Sequence, residues 1–217
     1  MRLYHTYQPI ERDASIPFEE KCTHMNSWWT QTYEHYLTLN IKQSMLPEMI
    51  QSANIQLRHG IDDLMKLCKA LLVPVTVISA GLGNFINLLL GAACGFDDFH
   101  IISNFLLFDQ AGKLSGFSEP LIHSLKKSQV LHGQSLRPNL LVLGDMPSDT
   151  DVLKSANCST SLCIGLANDL SKVPLDAYLP RYDLLVLRDG DLDVVSEVLK
   201  TVAGQKTVED LWLQIHR

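Results

Sequence analysis

No apolar run in this chain of 217 residues approaches the ~20 residues that a membrane-spanning helix needs. The opening MRLYHTYQPIERD lacks the apolar core of a secretory leader, so the sequence predicts a cytosolic protein that is neither secreted nor membrane-bound. Positive charge is also in deficit. Lys and Arg number 18 against 24 Asp and Glu, a net charge of -6, which excludes a general attraction to nucleic acid or to an anionic membrane surface. The five cysteines, Cys22, Cys68, Cys94, Cys158 and Cys163, are odd in number and form no C-x-x-C pair or finger-like spacing. They fit reduced thiols better than a disulfide framework or a zinc site. The histidines follow no metal-ligand spacing, and there is no internal repeat or low-complexity tract.

What is present is apolar material: 46% of the residues are hydrophobic and 19% charged, enough for a compact unit with a real core. The pattern changes once. From Glu11 to about Lys69 it is helical, with His24 to Leu37 mixing apolar and polar positions, Leu46 to Gln56 opening behind Pro47, and Gly60 punctuating before IDDLMKLCKALL. From Leu71 short apolar runs alternate with helices. VPVTVISAG, HIISNFLLF, NLLVLGD, TSLCIGL and YDLLVL read as strands, while NFINLLLGAA, DTDVLKSA and DLDVVSEVLKTVA read as helices. This alternation predicts a doubly wound parallel sheet, whose chemistry sits beyond the carboxyl ends of its strands.

Three such places hold informative residues. Ser79-Ala80-Gly81, after VPVTVI, offers a hydroxyl and closely spaced N–H groups turning into a helix, a seat for a phosphate. The same residues read equally as a plain strand-to-helix turn with Ser as cap and Gly as bend. Gly81-Leu82-Gly83 opens like a dinucleotide fingerprint, but Ile86 occupies the position of its third glycine, where helix and strand must approach closely. In Gly144-Asp145-Met146-Pro147-Ser148-Asp149, two carboxylates four residues apart follow a strand. One can hold a hard divalent cation while the other orders the loop. Asp149 also reads as a helix cap, and the two roles are compatible. Lys126-Lys127 precedes this strand. A lysine aimed into the cleft stabilises charge on a transferring phosphoryl group, although a lone KK pair usually reads as solvated surface.

Taken in order, S-A-G, a lysine and G-D-x-x-x-D on one α/β sheet match three motifs of a haloacid dehalogenase-type phosphohydrolase. VISAGLGN, IISNFLLFDQAGKLSGFSEPLIHSLKK, LVLGDMPSD, IGLANDL and YDLLVLRD resemble successive blocks of the cytosolic pyrimidine 5'-nucleotidase family, which includes the 7-methylguanosine-monophosphate nucleotidases. YQPIERDASIPFEEKCTHMNSWWTQT resembles that family's cap region, so the resemblance covers essentially the whole chain. It implies a Rossmann-like core over residues 69–217 with a helical cap over 1–68. It also implies magnesium-dependent hydrolysis of a nucleoside 5'-monophosphate to nucleoside and phosphate by a cytoplasmic monomer that binds no nucleic acid polymer and no membrane.

Carried over by position, Ser79, Ala80 and Gly81 bind the substrate phosphate and Lys127 is the catalytic lysine that neutralises phosphate and nucleophile. Asp145 ligates magnesium with Asp149 behind it. Glu11 of PIERD matches the family's base-recognising glutamate, and Trp28, Trp29 and Thr32 fall in the segment near the base. Aromatic faces stack on a base or on a cationic methylated purine. The two tryptophans point about 100° apart on a helix, so at least one belongs to the cap's own core. Ser27 stands where the family tends to have a glutamate before its tryptophan, which alters the local polarity.

The family's D-x-D-x-T, whose first Asp attacks phosphorus and whose second handles the proton, has no counterpart in this sequence. Asp191-x-Asp193 follows an apolar run but comes after the Gly144 motif. Asp189, Asp191 and Asp193 read instead as a loop and helix N-terminus favoured by the helix dipole. The first core strand with its motif is therefore expected to be missing. In the family it lies between the strand ending at Ser79 and the one ending at Asp145, so its loss leaves two interior edges unpaired. Either these residues are part of a longer, intact nucleotidase, or they form a noncatalytic nucleotide-binding module. The chain as written is expected to have no phosphatase turnover.

Overall fold

The structure is a computed structural model that describes residues 2–13, 15–96, 98–134, 136–171 and 174–215. In chain order the elements are α1 (Arg2–Arg12), α2 (Phe18–Thr38), α3 (Leu46–Ala53), α4 (Ile61–Ala70), β1 (Thr76–Leu82), α5 (Gly83–Cys94), β2 (His100–Asn104), β3 (Leu106–Phe108), β4 (Leu114–Phe117), β5 (Asn139–Gly144), β6 (Thr160–Ala167), α6 (Leu175–Tyr178), β7 (Leu184–Leu187), α7 (Asp193–Val202) and α8 (Val208–Ile215). Short 3-10 turns cover Ser124–Gln129 and Pro147–Lys154. The chain forms two compact units, one of Met1–Ile55, Val77–Leu88 and Ile101–Lys127, the other of Gln56–Thr76, Leu89–His100 and Ser128–Arg217.

In the first unit, α2 starts behind Pro17 with Glu19 and Glu20 in its first turn, where the dipole favours negative charge. Its buried Cys22, Met25 and Tyr33 share one face. The α1 helix lies along it through a stacked Tyr7–Trp28 pair with ring centroids 5.9 Å apart. α3 opens with Pro47 in its first turn and ends at Asn54 in the left-handed region, φ 48°. Ile41, Leu46, Leu106 and Leu114 form this unit's apolar core, flanked by Phe85, Phe108 and Phe117.

The second unit holds the three-stranded sheet β5-β6-β7, parallel throughout. Adjacent residues of β6 enter opposite layers: Ile164 packs with Leu64, Cys68, Val195 and Val198 of α4 and α7, and Cys163 packs with Tyr178 and Tyr182. Burial on both faces explains why TSLCIGL is a nearly continuous apolar run. In β1 and β2, His100 N–H donates to Val75 O and Ser103 Oγ to Gly81 O, so amino end meets amino end and the pair is parallel. The parallel strands thus fall into two hydrogen-bonded sets. Among the described residues β1 is joined only to β2, and β5 only to β6.

Several elements differ from the sequence expectation. HIISNFLLF is two strands, because Phe105 exchanges hydrogen bonds with Ser118 while Asn84 takes both backbone groups of Leu106. β3 then pairs antiparallel with β4 around a tight turn in which Asp109 Oδ1 accepts from Ala111 and Lys113 N–H, with Gly112 at φ +74°. DTDVLKSA lies mostly in the 3-10 turn, where the Thr150 hydroxyl donates to Pro147 O. Ser79, Ala80 and Gly81 lie inside β1, and α5 starts immediately after it. α1 begins earlier than the helical reading, and α8 had no counterpart in it.

Candidate active site

The first unit brings together the expected phosphate-side segments. Ser79, Ala80 and Gly81 are half-buried at the carboxyl end of β1, where Gly81 N–H donates to Ser79 Oγ at 3.0 Å. Half-buried Lys127 lies on the 3-10 turn Ser124–Gln129. Asn104 links these segments. Its Nδ2 donates to Ala80 O at 2.9 Å and Ile122 O at 2.8 Å, and its Oδ1 accepts from Ile122 N–H at 2.8 Å. Beside this bridge, His123 is 0% exposed and neither ring nitrogen has a hydrogen-bond partner among the described residues. Burial, reinforced by the Lys126 charge, lowers its pKa from 6.5 to about 4, so the imidazole is neutral at pH 7.

The candidate residues on α1 and α2 have specific neighbours in the same unit. Glu11 Oε1 accepts a short hydrogen bond from the Ser124 hydroxyl, three residues before Lys127. Lys126 Nζ meets Asn26 Oδ1 at 3.5 Å. Trp28 packs on Tyr4 and Tyr7, Trp29 on Tyr33, and Tyr33 stacks on Phe117 at 3.7 Å. Both tryptophans therefore help to pack this unit, Trp28 between α1 and α2 and Trp29 against Tyr33 of α2. The Thr32 hydroxyl donates to Trp28 O.

The acidic loop belongs to the second unit. Asp145 is exposed and Asp149 buried. Asp149 Oδ2 accepts from Asp145 and Met146 N–H, both at 3.1 Å, so the second carboxylate organises the loop that presents the first. Tyr178 Oη donates to Asp145 O at 2.8 Å and Tyr182 Oη to Met146 O at 2.6 Å. Burial raises both phenol pKa values, helped by the two nearby carboxylates, and keeps the hydroxyls as donors. Gly144 is required here: a Cβ would come within 2.5 Å of Asp149 Cβ and 2.6 Å of Tyr182 Oη. His59, Asp191 and Asp193 also approach one another on this unit's surface, their ligand atoms within 4.8 Å. Asp191 Oδ1 accepts from Asp193 N–H at the start of α7, the helix-entry role expected of these carboxylates.

Asn104, Ser124, His123 and the tyrosine pair were not singled out in the sequence. The signal for the first was the polar Ser103-Asn104 pair interrupting the strand-like run HIISNFLLF. Nothing local marked the others.

The α/β fold is of the haloacid dehalogenase type, shared with two solved phosphohydrolase structures. The pyrimidine 5'-nucleotidase (UMPH-1) family profile matches residues 1–203. A 7-methylguanosine phosphate-specific 5'-nucleotidase of Gallus gallus is 31% identical over 92% of this chain and 72% of its own length. The Homo sapiens protein of the same name is 28% identical over 94% and 71%. The crystal structure of cytosolic 5'-nucleotidase IIIB bound to cytidine superimposes with a TM-score of 0.80 at 28% identity, covering 94% of this chain and 71% of that one. A probable phosphoserine phosphatase from Vibrio cholerae shares the fold, with a TM-score of 0.57 at 16% identity, over 95% of this chain and 58% of that one. The chain belongs to the pyrimidine 5'-nucleotidase family, hydrolytic enzymes that act on nucleotide monophosphates. The expected family and fold both hold.

Proposed function

We propose that these residues hold the substrate and the metal ion of a magnesium-dependent 5'-nucleotidase acting in the cytosol on a pyrimidine or 7-methylguanosine 5'-monophosphate. The observation that carries this reading is the Asn104 bridge, which joins the carboxyl end of β1 to Ile122, five positions ahead of Lys127. Ser79 with the backbone N–H groups around Ala80 and Gly81 would bind the phosphate oxygens, and Lys127 would neutralise their charge. Glu11 would accept from an exocyclic amino group of the base, and residues 1–68, with Trp28, Trp29 and Thr32, would form its surroundings. The exposed Asp145 carboxylate is the hard oxygen donor that magnesium takes, on a loop that Asp149 keeps ordered. When bound, a magnesium ion would supply the Lewis-acid charge that phosphate-ester hydrolysis uses. Residues 69–217 would carry this phosphate and metal chemistry. The chain would act as a monomer on a single nucleotide, and its net charge of -6 offers no general attraction to a nucleic acid polymer. Among the described residues no helix is long and apolar enough to cross a membrane.

The 217 residues contain no D-x-D-x-T, so the reading assigns them binding without turnover. Titration of the pure chain with cytidine or 7-methylguanosine monophosphate should show magnesium-dependent binding that Asp145→Ala weakens at least tenfold. Magnesium-dependent phosphate release that disappears in Asp145→Ala would overturn the absence of turnover. Lack of any nucleotide binding by the folded chain would overturn the reading itself.

A further inference from the structure

The geometry points to Asn104 as a positioning residue that makes the end of β1 and the lysine turn a single anion receptor, an inference that rests on the phosphate-binding role proposed for Ser79, Ala80 and Lys127. Its side chain is 0% exposed, so it acts through other groups. Asn104 Oδ1 and Nδ2 take the N–H and C=O of Ile122, each at 2.8 Å, as a neighbouring strand would. The remaining amide hydrogen goes to Ala80 O at 2.9 Å, with a longer approach to Gly81 O at 3.4 Å. One planar carboxamide thus fixes two main-chain segments that are far apart in sequence. Ser103 Oγ donates to Gly81 O at 2.9 Å and secures the same strand end.

Anion binding by backbone N–H groups depends on their orientation being set before the ligand arrives, and so does the benefit of a lysine aimed at the same anion. Asn is well suited to the position. Aspartate has nearly the same shape but lacks both donors, and leucine lacks donors and acceptor alike. Ser79 Oγ itself makes a local hydrogen bond, accepting from Gly81 N–H.

The test is titration of the 217-residue chain with inorganic phosphate, below the unfolding temperature of every variant compared. Ser79→Ala and Lys127→Ala should each weaken binding about tenfold. Asn104→Asp should weaken it at least as much, and Lys127→Ala added to Asn104→Asp should then cost less than threefold, because a misplaced lysine has little left to lose. Wild-type affinity in a folded Asn104→Asp, or losses that multiply fully in the double variant, would overturn the positioning role. If wild type binds phosphate but neither Ser79→Ala nor Lys127→Ala weakens it, the phosphate-site reading fails instead, and the same follows if wild type does not bind. Should Asn104→Asp not fold, amide exchange in the wild type decides. Saturating phosphate should slow exchange of the Ile122 N–H held by Asn104, and an unchanged rate would overturn the proposal.

Discussion

In the first unit the expected phosphate-side segments are tied by a side chain that reaches 18 and 24 positions along the sequence, from Asn104 to Ile122 and Ala80. In the second, Asp149 secures the N–H groups of Asp145 and Met146 only four and three positions away. Two tyrosine hydroxyls then fasten that loop, Tyr178 from the end of α6 and Tyr182 from the turn before β7. The acidic loop is therefore a local motif whose glycine abuts side chains pinned by hydrogen bonds, whereas the phosphate side is a long-range assembly whose glycine Gly83 abuts the end of the half-buried Phe105 ring. Added volume should hurt the first more, and lost hydrogen bonds should hurt the second more.

A methyl group separates the two most strongly. In Gly144→Ala the new Cβ meets Asp149 Cβ, part of a side chain pinned by two hydrogen bonds, and the Tyr182 hydroxyl, itself bonded to Met146 O. Neither can retreat without breaking the loop. The expected loss is about 3 kcal/mol, seen as a fall in Tm of about 6–12 °C. In Gly83→Ala the Cβ comes within 2.4 Å of the Phe105 ring, but that ring is half-buried and can swing aside. About 1 kcal/mol is expected there. Equal losses in thermal or denaturant unfolding would erase the contrast.

The same difference in range governs what the sequence could disclose. G-D-x-x-x-D was readable because the hydrogen bonds from Asp145 and Met146 N–H to the Asp149 carboxylate close within four residues. The strand runs NLLVLGD and TSLCIGL were readable because burial on both faces demands continuous apolar character. Asn104 was not, because a polar residue inside an apolar run looks like a strand irregularity until its partners, 18 and 24 positions away, are known. The β3–β4 hairpin and the division of the parallel strands into two hydrogen-bonded sets also depend on pairing rather than on periodicity. Trp28 and Trp29 could be placed on a helix, but their faces are decided by Tyr7 and Tyr33.

Mild acid should separate the two regions next. His123 is buried with a pKa of about 4, against 6.5 when exposed. Between those values the unfolded chain binds a proton that the folded chain refuses, so stability is full above pH 6.5 and declines as the pH falls toward 4. A loss of about 3 kcal/mol across that window is expected. His123→Leu should abolish this contribution, so that the variant gains on wild type steadily as the pH is lowered. Parallel stability curves for the two proteins across the window would show that the buried imidazole is not what makes the first unit acid-sensitive.

The second unit answers to acid later and more weakly. Glu197 of α7 accepts from Lys200 Nζ at 2.7 Å and, through its other oxygen, from Lys206 Nζ in the connection to α8. These two hydrogen bonds hold its pKa below the usual 4.5, so its contribution is complete above that value and is lost only as the pH falls through the lower folded-state pKa. Because both lysines are about one-third exposed, water screens the pairs, and Glu197→Gln should cost only about 1 kcal/mol at pH 7 and nothing once the carboxylate is protonated. Lys206 lies between α7 and α8, so the variant should also speed amide exchange in α8 while leaving β6 protected. Faster exchange in β6 as well would mean that Glu197 supports the whole sheet layer, and the second unit would then depend on a charged tie as much as the first depends on Asn104.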